Sequence, residues 1–117
     1  MAEWNRWSPV DFERKVRECM NNVVRAASEL EDLEKAAADA EVEYRYELSK
    51  AILTSTEKSV ERQKADALVR CERVFRVAMV AGAVRDAKRE AVRAQREVLN
   101  AAQSIGALIR SEIGLAR

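Results

Sequence analysis

The sequence predicts an all-α protein that forms a long antiparallel helical hairpin of the coiled-coil kind. Between Asp11 and Ile113 the chain has no proline and only two glycines, Gly82 and Gly106. Apolar residues recur at spacings of three and four along two long stretches, which indicates one apolar face on each of two helices. Charged residues make up 35 % of the chain with acids and bases interspersed, as on solvent-exposed helix faces. The length of 117 residues favours a single domain over 1–117.

Composition argues against catalysis. The chain has no histidine, which removes the commonest general base and the commonest transition-metal ligand. It carries no phosphate-binding loop, nucleophile elbow or C-x-x-C pair. We therefore predict that the protein is not an enzyme and has no catalytic residues, metal site or cofactor. No apolar run approaches the roughly 20 residues that span a bilayer, and no secretory signal is present, so we expect a cytoplasmic protein without a membrane partner.

The first helix is predicted over 8–53, after an arm at 1–7 that carries Trp4 and Trp7. Ser8 is a favourable N-cap, Pro9 suits the first helical position, and a carboxylate follows three residues after the cap. Trp7 and Phe12 have the spacing of a hydrophobic staple. A helix of about 45 residues, roughly 65 Å long, is typical of long hairpins. Its predicted apolar stripe is Val16, Met20, Val23, Ala27, Leu30, Leu33, Ala37, Ala40, Tyr44, Leu48 and Ala51.

A turn is predicted at 54–59, where the sequence reads Thr-Ser-Thr-Glu-Lys-Ser. Hydroxyl side chains compete with the backbone for hydrogen bonds and so favour turns and caps. Thr54 with Glu57, and Ser59 with Arg62, are rival placements of the next N-cap. We prefer Ser59.

The second helix is predicted over 60–113, with the residues beyond it frayed. Gly82 within this helix costs about 1 kcal/mol relative to alanine. It indicates either the close approach of another helix or a kink. The predicted seam is Ala67, Cys71, Val74, Ala78, Ala81, Val84, Ala87, Ala91, Ala94, Val98, Ala101, Ile105 and Leu108.

A second apolar strip lies beside this seam, and a single hairpin leaves much of it exposed to water. Such a strip favours association, so we predict that the hairpin forms a homo-oligomeric helical bundle. The two cysteines, Cys19 and Cys71, lie within the apolar stripes. We expect free buried thiols, with a disulfide between paired helices as the alternative. The predicted oligomer interface is Leu68, Phe75, Met79, Val92, Leu99, Ala102 and Ile109.

Charge is unevenly distributed along the chain. Residues 1–48 hold twelve acids and seven bases, whereas residues 49–117 hold eight acids and fourteen bases. This asymmetry serves pairing within the fold, an anionic partner, or both. On the second helix Arg85, Arg89, Arg96 and Arg110 fall within about 60° on a helical wheel, turned away from the predicted seam. Lys88 and Arg93 flank this stripe.

Such a row of guanidinium groups can contact successive phosphates of a nucleic acid without reading its sequence. The alternative is a solvated helix face, because Asp86, Glu90 and Glu97 lie beside the row and partly neutralise it.

Between Tyr44 and Glu112 the sequence carries the pattern Tyr44, Leu48-x-Lys50-Ala51, Ser59-Val60-x-Arg62-x-Lys64-Ala65-x-Ala67, Val84-Arg85-x-x-Lys88, Arg96-x-x-Leu99 and Gln103-Ser104-x-x-Ala107-x-x-Arg110. In the order and spacing of these residues the stretch resembles the UvsY-type recombination mediators, which are small all-helical proteins of tailed phages.

This resemblance implies a non-enzymatic accessory of recombination that binds single-stranded DNA as an oligomer in the host cytoplasm. Its further partners would be a recombinase or a single-strand-binding protein. The predicted nucleic-acid-binding residues are Arg62, Lys64, Arg85, Lys88, Arg89, Arg93, Arg96 and Arg110. The competing hypothesis is a structural or host-targeting helical phage protein, which docks its apolar strip onto another protein and binds no nucleic acid.

Overall fold

The computed structural model describes residues 8–116, including all their side chains except those of Ile113, Leu115 and Ala116. Three helices follow one another in this range: α1 at Pro9–Leu53, α2 at Val60–Arg70 and α3 at Glu72–Ala116. They hold more than three quarters of the chain, and residues 8–116 contain no strand. The all-α prediction is therefore confirmed. The predicted N-terminal arm and its staple to Trp7 lie outside the described residues.

Helix α1 begins at the predicted cap. The backbone N–H of Asp11 donates to Ser8 Oγ at 3.2 Å, and the Ser8 hydroxyl donates to Asp11 Oδ2 at 2.8 Å. The same carboxylate accepts from Arg14 Nη2 at 2.7 Å. A negative charge in the first turn also stabilises the helix, because it lies at the positive end of the helix dipole.

The turn after α1 ends at Ser59, which is the N-cap of α2 as predicted. Its hydroxyl oxygen accepts from the backbone N–H of Arg62 at 3.1 Å. Thr54, the rival cap, instead closes α1, because both its N–H and its hydroxyl donate to the carbonyl of Lys50. Gln63 adds a bond from its side-chain amide to the carbonyl of Glu57 at 2.9 Å.

Side chains of α2 hold the turn against the end of α1. Ser55 donates its hydroxyl to Asp66 Oδ2 at 3.1 Å. Arg70 donates to the carbonyl of Ala51 at 3.3 Å and to Thr54 Oγ1 at 3.4 Å, and it lies 3.6 Å from the Asp66 carboxylate. A cation that binds the last carbonyls of a helix stabilises its C-terminus.

The prediction of one unbroken second helix is wrong at Cys71. This residue has ψ of 11° and separates α2 from α3, although its N–H still donates to the carbonyl of Ala67. The side chains of Gln63, Ala67 and Cys71 point inward at two successive steps of four, which rotates the inward face around the helix. The local change of backbone angle at Cys71 offsets this rotation of the inward face. From Cys71 onward the inward residues follow steps of three and four.

The described chain forms two compact units. Unit 2 comprises Leu30–Lys88, where the second half of α1 packs antiparallel to α2 and the first part of α3. Its core is Ala51, Ala67 and Cys71, with Tyr44, Leu48 and Ile52 packed against it. The Tyr44 ring lies 5.2 Å from the Phe75 ring at an interplanar angle of 57°. The small core residues let the two helices approach closely.

Unit 1 comprises the residues before Leu30 and after Lys88, so the start of α1 packs against the later part of α3. Phe12 is 2 % exposed and lies against Gly106. A Cβ added to Gly106 would lie 2.8 Å from Phe12 Cε1, closer than real contacts allow. Glycine at this position therefore makes room for the phenylalanine ring.

The inward-facing positions follow a heptad repeat along both long helices. On α1 buried or half-buried residues recur at alternating steps of four and three: Phe12, Val16, Cys19, Val23, Ala26, Leu30, Leu33, Ala37, Ala40, Tyr44, Glu47 and Ala51. From Cys71 and along α3 the same steps give Val74, Ala78, Ala81, Arg85, Lys88, Val92, Leu99, Ala102, Gly106 and Ile109, with exposed Gln95 between Val92 and Leu99. This is the side-chain pattern of coiled-coil packing.

Beyond Ala81 the predicted seam of the second helix is therefore wrong, except at Ile105, which is half-buried. Val92 and Ala102 are at most 2 % exposed, whereas Val84 and Val98 are about half exposed. The prediction took two steps of three after Ala81, which moved the seam one residue early and rotated it by about 100°. Beyond Ala81 the inward positions include Arg85, Lys88 and Gln95, whereas the predicted positions are all apolar, so apolar periodicity favoured the wrong face.

Candidate nucleic-acid interface

The eight predicted DNA-binding residues divide equally between the two units. Unit 1 holds Arg89, Arg93, Arg96 and Arg110, and unit 2 holds Arg62, Lys64, Arg85 and Lys88. All except Arg85 and Lys88 are exposed.

Arg85 and Lys88 occupy inward heptad positions, contrary to the predicted outward orientation. The Arg85 side chain is 32 % exposed, and its Nε donates to Asp86 Oδ1 at 3.0 Å. Lys88 is half-buried and interacts with another group of the chain. Long basic side chains at such positions cover the seam with their methylene groups and direct the charge outward. They are less available to a ligand than the sequence suggested.

The rest of the predicted stripe remains a straight row, here named the arginine column: Arg89, Arg96, Gln103 and Arg110. Successive members are seven residues apart, so they lie about 10.5 Å apart along α3. All four are exposed. Arg89, Gln103 and Arg110 each directly follow a buried or half-buried residue of α3, and Arg96 lies one turn from the buried Val92. The column therefore borders the seam and does not lie on the opposite side of the helix.

The guanidinium groups differ in their local partners. Arg93 pairs with Glu90 at 3.0 Å, and Arg89 interacts with another group of the chain. Within residues 8–116 neither Arg96 nor Arg110 has an ion pair. These two side chains can therefore bind an anion without first breaking a contact.

Arg110 lies at the edge of an open groove in unit 1, here named the basic groove. It has a volume of about 400 Å³. Met20 contributes exposed apolar surface, and Arg17 of α1 adds a second guanidinium group. The groove is lined by Phe12, Glu13, Val16, Arg17, Met20, Gln103, Gly106 and Arg110. It combines apolar surface with two arginines and one carboxylate.

Sequence reasoning missed Arg17, because α1 was counted with the acidic part of the chain. Packing mixes the two parts instead: the residues before Leu30 and after Lys88 include ten bases and eight acids. The heptad register was the signal that could have found Arg17. It follows the inward residue Val16 directly, and the antiparallel register that sets Phe12 against Gly106 brings this turn of α1 near the end of α3.

Arg62 and Lys64 are exposed on α2, in unit 2. Arg62 shares a shallow surface depression with Glu57 and Asp66, so its surroundings include acids as well. These two basic residues do not belong to the basic groove.

The predicted oligomer strip is also divided by the true seam. Leu68, Phe75 and Met79 are exposed, as an interface requires. Val92 and Ala102 are already covered within the chain, and Leu99 and Ile109 are half-buried. Among the predicted interface residues, the exposed ones are therefore Leu68, Phe75 and Met79, all in unit 2.

Comparisons with known protein families, with characterised proteins and with solved structures found no match. Among the described residues no cluster of acids and cysteines is arranged to hold a metal ion. None of the described helices contains a stretch apolar and long enough to cross a bilayer. Both cysteines are free thiols in the structure.

Proposed function

We propose that this chain binds single-stranded DNA, without sequence preference and without catalysis, through the arginine column and the basic groove of unit 1. The observation that carries the proposal is that Arg96 and Arg110 are exposed on one line and have no ion pair within the described chain. Arg17 extends the same charge across the groove.

Unpaired guanidinium groups suit a phosphate backbone because they bind phosphate oxygens in a planar, two-pronged geometry. Single-strand binders combine such charge with surfaces on which bases pack. In the basic groove the exposed Met20 side chain supplies apolar surface beside Arg17 and Arg110. The low net charge of +1 predicts weak binding that is sensitive to salt.

The resemblance to UvsY-type mediators supports the same proposal and extends it. On this hypothesis the protein is a phage recombination accessory in the host cytoplasm, and it assists a recombinase in replacing a single-strand-binding protein. The structure modifies the proposed contact residues: Arg17 is added, and Arg85 and Lys88 become secondary because they lie at the seam.

Fluorescence anisotropy with labelled oligo-dT tests the proposal. Wild-type protein should bind at 50 mM salt or below, which is about the lower end of the range used for nucleic-acid binders. Replacing Arg17, Arg96 and Arg110 by glutamine should reduce the salt slope by up to about two, since each phosphate contact contributes about 0.7.

The matched control replaces Arg14, Arg45 and Arg76 by glutamine. These arginines are also exposed, but each already pairs with an acid on its own helix. Both triple variants change the net charge by the same amount. Loss of binding in the first variant alone supports the site. Equal loss in both variants would show a non-specific charge effect, and absence of wild-type binding at low salt would refute the DNA hypothesis.

A protein-docking function is the second candidate. The observation that favours it is the exposed apolar surface of unit 2 around Phe75 and Met79. In this case the protein is a helical interaction module with no nucleic-acid partner, and wild-type protein would fail to shift the anisotropy of the DNA probe.

A further inference from the structure

An open groove in unit 2 surrounds Gly82, here named the Gly82 groove. It has a volume of about 430 Å³ and lies between α1 and α3. Its lining is mostly apolar and includes the carboxylates of Glu41 and Asp86. The lining residues are Glu41, Tyr44, Phe75, Ala78, Met79, Gly82, Ala83 and Asp86.

The two glycines inside α3 differ in what surrounds them. Gly106 is required by the Phe12 ring, as its missing Cβ leaves the space that the ring fills. At Gly82 an added Cβ would meet only Arg85 Nη2, at the ordinary contact distance of 3.7 Å. Glycine weakens a helix interior relative to alanine, and packing within the chain gives no reason for it here. A reason outside the chain is the close approach of another backbone.

The surface beside Gly82 is suited to that approach. Phe75 and Met79 are 43 % and 58 % exposed although both are large and apolar. Tyr44 supports the Phe75 ring from α1. Ala78 and Ala83 add little bulk on either side of the glycine. The groove thus offers exposed apolar side chains at Phe75 and Met79, and it has no large side chain at Gly82.

We propose that the Gly82 groove receives α3 of a second copy of this chain, in an antiparallel two-fold pair that crosses at Gly82. In such a pair the residues an equal number of steps before and after Gly82 meet. Arg89 then faces the Phe75 ring of the second copy, an arrangement that attracts a guanidinium to an aromatic face.

The charges along α3 fit the same arrangement. Glu72 lies ten residues before Gly82, and Arg93 lies eleven residues after it. Within one chain Glu72 pairs with Arg76, and Arg93 pairs with Glu90. The antiparallel pair brings these two ion pairs of opposite copies together, with Arg93 near Glu72 of the second copy, twice in each dimer because the contact is symmetric. A parallel two-fold arrangement would instead place each arginine beside the same arginine of the second copy. The complementarity is what selects a second chain, antiparallel, as the occupant.

Sedimentation equilibrium at micromolar concentrations tests this proposal. The wild-type chain of 13.2 kDa should sediment with twice that mass. Gly82→Leu should yield a monomer with unchanged helicity, because its side chain extends into the open groove. Gly82→Ala should weaken association by about tenfold or more, as a methyl group separates closely packed backbones. Below the dimerisation range, the same Gly82→Ala variant should melt at a higher temperature than wild type.

The matched control is Ala91→Leu, which enlarges an exposed small residue of α3 on the other side of the seam from Gly82. This variant should dimerise like wild type. A monomeric wild type at about 100 μM would refute self-pairing. Undiminished dimerisation of Gly82→Leu would show that the contact lies elsewhere, and a mass above two chains would refute the two-fold pair. The crossing shares Arg89 with the arginine column, but Arg17, Arg96 and Arg110 take no part in it, so glutamine at these three positions tests DNA binding without changing the dimer contact.

Discussion

The contact between Phe12 and Gly106 permits a quantitative test of the packing in unit 1. Changing Gly106 to alanine has two opposite effects. Alanine favours a helix interior over glycine by about 1 kcal/mol. However, its Cβ would lie 2.8 Å from Phe12 Cε1 and 3.3 Å from Phe12 Cδ1. The ring is 2 % exposed, so moving it away from the new Cβ would disturb its packing against its neighbours.

Forcing an extra carbon into a filled site typically costs about 1–3 kcal/mol. We therefore expect Gly106→Ala to lower the free energy of unfolding by about 0–2 kcal/mol, after the gain in helix propensity is subtracted. The reference is Gly82→Ala, where the gain of about 1 kcal/mol meets no such contact. The two substitutions should therefore differ by about 1–3 kcal/mol.

Urea unfolding followed by circular dichroism at 222 nm measures this difference, at a protein concentration where the wild type is monomeric. The clash should disappear when the ring is replaced. In a Phe12→Leu background, Gly106→Ala should become stabilising, with a coupling energy of about 1–3 kcal/mol in the double-mutant cycle. If Gly106→Ala stabilises as much as Gly82→Ala, the ring is not held against Gly106 and the packing argument for unit 1 is refuted.

Three further predictions concern the turn and the core of unit 2. Ser59→Ala should lower the free energy of unfolding by about 1 kcal/mol in urea unfolding, because it removes the acceptor for the Arg62 N–H, whereas Ser59→Asp should retain stability. Arg70→Met should lower the free energy of unfolding by about 1 kcal/mol, because it removes the hydrogen bonds of Arg70 to Ala51 and Thr54. The exposed control Arg73→Met should leave this free energy unchanged, and equal effects of the two substitutions would contradict the prediction. Cys71→Ser should lower the free energy of unfolding by about 1–3 kcal/mol, measured by thermal melting, because it places a hydroxyl in an apolar cluster. An unchanged melting temperature would show that the hydroxyl has a hydrogen-bond partner there.

The sequence by itself determined that the chain is helical, where α1 begins and ends and where α2 begins, but not the break at Cys71. Local chemistry suffices there: Ser8 and Ser59 cap helices through bonds to residues three positions away, and such bonds need no tertiary contact. The absence of proline after Pro9 left α1 uninterrupted, and steps of three and four made each helix amphipathic. These features depend on neighbours along the chain, which a sequence displays directly.

Only the tertiary structure decided which face of α3 turns inward. The face predicted from the apolar pattern is not the one that turns inward, because the inward face beyond Ala81 includes Arg85, Lys88 and Gln95, so the choice depends on how α1 fits against α3. The heptad register of α1, begun by Phe12 and fitted to Gly106, selects the face that contains Val92 and Ala102. That choice places Arg85 at the seam and leaves Arg96 and Arg110 beside it. The candidate site was recognisable as arginines at helical spacing, but its shape, and the membership of Arg17, follow from contact between distant parts of the chain.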